Sequence, residues 1–253
     1  MRVNQQAAFI LHTRPYRESS LLVDIFSKEH GRITLNAKGA RRNKIRWRNA
    51  LQTFQPYWLS WAGKGELPVL TNTEYQNGYL NLDYRSRVCA YYANELLSRA
   101  LQRKDPHSSL FEAYALLLGG LSESKRRELC LRRFEKALMN GIGYALILDQ
   151  DAESGKPIQD DIIYRYVREL GPVEANKISS LSARQTTVVS ATYTSQWESS
   201  LMVPGVVLNS IAKDNYRDDS VMTEAKQFMR AILKPVLGQK PLISRSLFYH
   251  SKL

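Results

Sequence analysis

Five short runs rich in β-branched and aromatic residues, each closed by turn chemistry, occupy residues 7–74 and constrain the fold more than any other feature. They read AAFILHT, SLLVDIFS, GRITLNAKG, LQTFQPYWLSWAG and PVLTNTE. Alternation is plain in the third, where Ile33, Leu35 and Ala37 share one face. His30-Gly31 and Gly63-Lys64-Gly65 supply turns between runs. Five strands of this size predict a small OB-fold barrel, an architecture that commonly holds single-stranded nucleic acid.

After Tyr79 the period becomes helical. Val88, Tyr91, Tyr92, Leu96 (with Glu95 and Leu97 beside it) and Leu101 recur at helical steps, with Asp83 and Ser86 as candidate caps. A second helix fits Ser108 to Leu118 before Gly119-Gly120, and a third fits Ser124 to about Gly141. The expected fold class is α+β. A DNA-binding barrel spans 1–80, a helical domain 81–148 and a loop-rich insertion with short strands 149–222. A C-terminal helix and tail, 223–253, should pack back on the helical domain. In that helix Ala225, Phe228, Met229, Ile232 and Leu233 make one apolar face.

Charge points to the partner. The net charge is +12, distributed as +7 over residues 1–80, +3 over 81–150, −4 over 151–225 and +6 over 226–253. Such asymmetry favours a directed face for a polyanion. The densest stretch is Lys38-Gly39-Ala40-Arg41-Arg42-Asn43-Lys44-Ile45-Arg46-Trp47-Arg48, with six cations and no acid between Glu29 and Glu66. Clustered cations displace condensed counterions from phosphates, and guanidinium forks grip phosphate oxygens. Arg32, Lys38, Arg41, Arg42, Lys44, Arg46, Trp47 and Arg48 are therefore the candidate DNA-binding residues; the alternative is a loop kept basic for solubility. Trp47, between two arginines, is a candidate for base stacking. Phe54, Tyr57, Trp58 and Trp61 read mainly as barrel core.

Catalytic chemistry finds no constellation. His12, His30, His107 and His250 are scattered, Cys89 and Cys130 form no Cys-x-x-Cys pair, and no phosphate-cradling glycine loop or nucleophile elbow occurs. Asp149, Asp151 and Glu153 approximate a calcium loop, but its glycine falls one place late and Asp160 stands where glutamate is needed. Asp160-Asp161 and Asp218-Asp219 read as solvated loop acids rather than a magnesium site of a nuclease. The expectation is a binding protein, not an enzyme, with no cofactor and no metal. An OB-fold RNA-binding factor remains the alternative, because charge alone does not choose the sugar. The start of the chain lacks a charged-then-apolar export pattern, and apolar stretches such as Ala113 to Leu118 are too short to span a bilayer. A cytoplasmic, nucleoid-associated protein without membrane contact is expected.

The chain also resembles the RecO family of bacterial DNA-repair proteins. The resemblance is carried in order by Ala8 to Tyr16, Glu18 to Phe26, Gly31-Arg32, Ala37 to Arg42, Asn94 to Arg99, Leu131 to Glu135 and Leu237 to Arg245. It implies an OB-fold, a helical domain and a third region that carries four cysteine zinc ligands in some members. This chain lacks those cysteines and resembles the zinc-free branch. The resemblance implies binding of single- and double-stranded DNA, annealing of complementary strands, and cooperation with RecR to load RecA on strands coated by single-strand-binding protein. It further implies docking of that protein's acidic, Phe-ending tail on the helical domain. Arg132 and Arg133 would meet the carboxylates, and Leu110, Phe111 and Tyr114 would line the pocket; pairing of the arginines with Glu128 or Glu135 is the alternative.

Overall fold

The computed structural model describes residues 2–42, 47, 51–76, 80–175 and 201–249. Strands β1 (Arg2–Tyr16), β2 (Ser20–Ser27), β3 (Gly31–Ala37), β4 (Pro56–Ala62) and β5 (Val69–Tyr75) close a barrel in the order β1-β2-β3-β5-β4. Every neighbouring pair is antiparallel except β3 with β5, and β1 pairs with both β2 and β4. This is the OB arrangement that the five runs predict. Strand β1 bends round the barrel at two irregularities, between Val3 and Gln6 and between Ile10 and His12, as bulges allow. Ala8, Ile10, Val23, Ile25, Ile33, Leu35, Tyr57, Leu59 and Trp61 fill the interior.

The outer face of the barrel is also apolar where helices cover it. Helices α1 (Tyr84–Ala100), α2 (Ser108–Gly120) and α3 (Arg127–Gly141) follow the barrel, with a 3-10 turn at Ser124–Arg126 leading into α3. Asp83 caps α1, its carboxylate accepting from Ser86 N at 2.7 Å. Phe9 of β1 and Phe26 of β2 point outward onto Phe111 and Tyr114, with ring centroids 5.0–6.4 Å apart. Asn94 of α1 accepts from the Tyr114 hydroxyl and donates to the Leu11 carbonyl, which ties both helices to the irregular part of β1. At Gly31, φ is +64° and a Cβ would overlap the Asp105 backbone, so this turn requires glycine. Lys104 N donates to the Arg32 carbonyl at 3.0 Å; the chain after α1 lies along β3 instead of continuing the helix to Lys104.

The chain divides into two compact units, residues 1–141 with 240–253, and residues 142–239. In the second, β6 (Ile163–Val167), β7 (Gly171–Glu174) and β8 (Leu201–Pro204) form a sheet of order β7-β6-β8, accompanied by α4 (Gly205–Lys213) and α5 (Asp219–Leu237). Helix α5 contains the stretch from Thr223 whose residues Ala225, Phe228, Met229, Ile232 and Leu233 share one apolar face. Its apolar face serves the small sheet: Phe228 meets Tyr166 edge-on at 5.0 Å, and Arg168 donates to the Ala231 carbonyl at 2.8 Å. The reason is that Tyr164, Tyr166 and Val203 give this sheet one apolar face that must be covered. Helix α6 (Ile243–Tyr249) lies along α1, and its first amides, Ile243 N and Ser244 N, donate to the Glu95 carboxylate at 3.0 and 2.9 Å. Arg99 completes the joint through Glu95 at 2.5 Å and the Pro241 carbonyl at 2.7 Å.

Candidate nucleic-acid interface

Two turns meet at one corner of the barrel. The β1–β2 turn carries Arg17, Glu18 and Ser19, and the turn after β3 carries Lys38 to Arg42. Gly39, at φ +70°, supplies the left-handed step that lets the second turn fold over. Arg41 N then donates to the Ser19 carbonyl at 2.8 Å, and the Arg41 guanidinium reaches the Arg17 carbonyl at 3.3 Å. Arg14, Arg17, Lys38, Arg41 and Arg42 are all exposed. Glu18 approaches Arg42 at 3.3 Å, but both side chains are at least 74% exposed, so the pair offers little competition to a phosphate. Reading the run by itself missed Arg14 and Arg17. Their signal was the Arg14-Pro15-Tyr16-Arg17 segment, which folding delivers to the same corner.

Other candidates are placed differently. Arg32 is half-buried and donates to the Ser98 carbonyl at the end of α1; burial, helped by the neighbouring Arg103 charge, lowers its pKa from the ordinary arginine value. It is a strut between barrel and helix rather than a surface cation. Trp47 is also corrected: it is 7% exposed and belongs to the barrel's buried cluster with Ala40 and Tyr57, which takes the large apolar surface of its indole out of water. Trp58, grouped with the core rings in the sequence reading, is 42% exposed. Alternation sends Tyr57, Leu59 and Trp61 inward and therefore Trp58 out. Lys44, Arg46 and Arg48 lie outside the described residues.

The candidate partner residues also divide. Arg132 is 2% exposed and pairs with the fully buried Glu135 at 2.8 Å, while the Tyr92 hydroxyl donates to the same carboxylate at 2.7 Å. Only Arg133 projects to solvent. Leu110, Phe111 and Tyr114 are all buried, since Phe111 and Tyr114 cover Phe9 and Phe26, so these three do not line an open groove beside the arginines. Phe111 does reach a cavity of about 450 Å³ on the barrel side of α2, walled by Phe9, Trp58, Leu80 and Ala115. The ion pair of Lys28 and Glu112 stands at that cavity. Beside Arg133, α2 and α3 run antiparallel, with Gly120 against Cys130 and Gly141 against Leu110. That register brings Leu116, 76% exposed, level with Arg133.

The acidic residues of the second unit are committed to structure. The Asp151 carboxylate accepts from Ser154 N at 2.6 Å, Ser154 Oγ at 2.7 Å, Glu153 N at 3.2 Å and Glu174 N at 2.8 Å. Burial opposes its charge, but these donors outweigh burial and hold its pKa below the ordinary range. Three donors on Oδ1 and one on Oδ2 spend this carboxylate on holding the local turn to β7. Asp160 is bound by Asn209 and Arg217, and Asp218 caps α5. Among the described residues no group of three His, Cys, Asp or Glu side chains could hold a metal ion, and no helix is long and apolar enough to cross a membrane.

Comparison with known proteins agrees with this architecture. A family model described as Recombination protein O N terminal matches residues 1–79, and one described as Recombination protein O C terminal matches residues 81–198. Among curated relatives, the DNA repair protein RecO of Nitrosospira multiformis is 39% identical over 97% of this chain and 95% of its own length. The DNA repair protein RecO of Azoarcus is 36% identical over 96% of this chain and 94% of its own. That of Actinobacillus succinogenes is 38% identical over 98% and 96%. With both halves of the family pattern matched in order, and the barrel corner and the Glu95 joint formed by its motifs, the chain belongs to the RecO family of DNA repair proteins.

Proposed function

We propose that this protein binds single- and double-stranded DNA through the barrel corner, anneals complementary strands and acts without catalysis of its own. It works with RecR to help load RecA on strands coated by single-strand-binding protein, in the cytoplasm at the nucleoid. The observation that carries this reading is the convergence of Arg17, Lys38, Arg41 and Arg42 on two hydrogen-bonded turns, with Arg14 near the end of β1 beside them. Five cations fixed at one corner can follow consecutive phosphates, and each releases counterions on contact. Lys44, Arg46 and Arg48 continue the same run in sequence.

The acidic tail of single-strand-binding protein docks, in this reading, on the seam of α2 and α3. Arg133 provides charge, and Leu116 with Gly119 and Gly120 provides a shallow apolar floor that accepts a phenyl ring. Arg132 supports that site from beneath, because its partner Glu135 also accepts from the Tyr92 hydroxyl and so ties α3 to α1. The test is strand annealing with naked and protein-coated DNA. Arg133→Glu should anneal naked strands at the unmodified rate and fail on coated ones. Equal annealing of coated strands by the folded variant would remove the tail site from this seam.

A further inference from the structure

Helix α1 carries an exposed strip apart from the barrel corner. Tyr84, Arg87 and Tyr91 stand at i, i+3 and i+7, on one helix face. Tyr84 is 50% exposed and Tyr91 43% exposed, and Arg87 is exposed between them. Neither Arg87 nor the adjacent exposed Arg85 forms an ion pair with a described residue. The one acid nearby in sequence, Asp83, is occupied by Arg127 at 2.5 Å and by Ser86 N.

Both rings are held in place although they face water. The Tyr84 hydroxyl donates to the Leu247 carbonyl of α6 at 3.2 Å, and Tyr91 stands edge-on to the buried Phe54 at 4.8 Å. A surface tyrosine fixed in this way keeps an open π-face and has already lost its rotamer freedom. That freedom is the main entropic cost of trapping a planar ligand on a side chain. Phe54 precedes β4, so the strip begins at the barrel wall.

We infer that Tyr84, Arg87 and Tyr91 form a second contact site for single-stranded DNA, in which two bases stack on the tyrosines and the phosphate chain between them meets Arg87. The inference rests on the DNA-binding reading of the barrel and extends it by naming where a longer strand goes. The two residues are separated by about 10.5 Å along the helix axis, roughly three times the 3.4 Å rise of a stacked strand. Bases seated on both rings are therefore unstacked from each other. That geometry selects an extended single strand over a duplex, whose bases cannot reach the rings. Stacking accepts any base, so the site carries no sequence preference.

The experiment compares affinities for an oligothymidylate of about 8 nucleotides, within the span of one OB barrel, and for one about four times longer. Proteins compared are the unmodified chain, Tyr84→Leu/Tyr91→Leu, Tyr84→Phe/Tyr91→Phe and Arg41→Ala/Arg42→Ala. The leucine variant should lower the long-to-short affinity ratio by about a hundredfold, roughly tenfold for each ring. The phenylalanine variant should keep the unmodified ratio, and the barrel variant should weaken both strands together. Because leucine at these positions could loosen α6 or Phe54, the unmodified protein is also photocrosslinked to a long strand containing 5-iodouracil, with attachment expected at Tyr84 or Tyr91. A folded leucine variant with an unchanged ratio, or crosslinks that all fall outside residues 84–91, overturns the strip. Failure of the unmodified protein to bind the short strand overturns the barrel reading and the strip with it.

Discussion

Arg132 and Arg133 are adjacent and chemically identical, yet one is a structural ion and the other a surface charge. Helix geometry separates neighbours by about 100°, so one of the two must turn inward, but nothing in Leu131-Arg132-Arg133-Phe134-Glu135 says which. The choice goes with Glu135, which pairs with Arg132 in the interior and also accepts from the Tyr92 hydroxyl. Arg132→Ala would leave the Glu135 carboxylate buried without its cation, a loss of about 3–5 kcal/mol. Arg133→Ala should stay within about 0.5 kcal/mol of the unmodified protein. Urea unfolding of the two variants measures the contrast, and equal midpoints would show that Arg132 contributes no more than a surface charge. Trp47 and Trp58 teach the same lesson. Flanking charges marked the first as exposed and flanking aromatics marked the second as core, and barrel geometry assigns them the other way.

At the scale of elements, what repeats within a segment was legible and what depends on a distant partner was not. Alternation at Ile33, Leu35 and Ala37 and the turn glycines marked the barrel strands. Asp83 marked the start of α1. The three described strands of the second unit are only four or five residues long, too short for a period to register. The apolar face of α5 announced burial without naming Tyr166 as its neighbour. Nor could the sequence show that Glu95 caps a helix 148 residues away. Burial works against the charge of Glu95, but the Ser244 and Ile243 amides, the Ser244 hydroxyl and Arg99 together hold its pKa below the ordinary glutamate value. A carboxylate depressed in the folded state contributes its full stability above the unfolded pKa of about 4.3, and that contribution disappears as pH falls through the lower folded value. Amide exchange of Ile243 and Ser244 should therefore accelerate, relative to the barrel strands, as pH drops below the usual carboxylate range. In Glu95→Gln the same amides should be weakly protected at neutral pH; full protection in that variant would mean that α6 does not depend on this cap. Asp218, accepting from Ser220 N and Val221 N at 2.9 Å, makes a simpler case. Asp218→Ala should cost about 1 kcal/mol, seen as a lower midpoint for the second unit, and an unchanged midpoint would rule out a stabilising cap.

For the whole molecule, the surplus of positive charge becomes informative only when folded. The +12 net charge could favour any polyanion, and a basic run in a sequence could equally be a solubilising loop. Folding half-buries Arg32, brings the exposed Arg14 and Arg17 beside Lys38, Arg41 and Arg42, and leaves a compact corner with one weakly engaged acid. The central claim is that this corner grips DNA phosphates. Its most direct test is the salt dependence of single-stranded DNA affinity for the unmodified protein and for Arg17→Ala/Arg41→Ala/Arg42→Ala. Each phosphate contact adds about 0.7 to the slope of log affinity against log salt. The variant's slope should thus be shallower by about 2, with weaker binding at low salt and unchanged unfolding. An equal slope and equal affinity in the folded variant would place the DNA elsewhere on the protein.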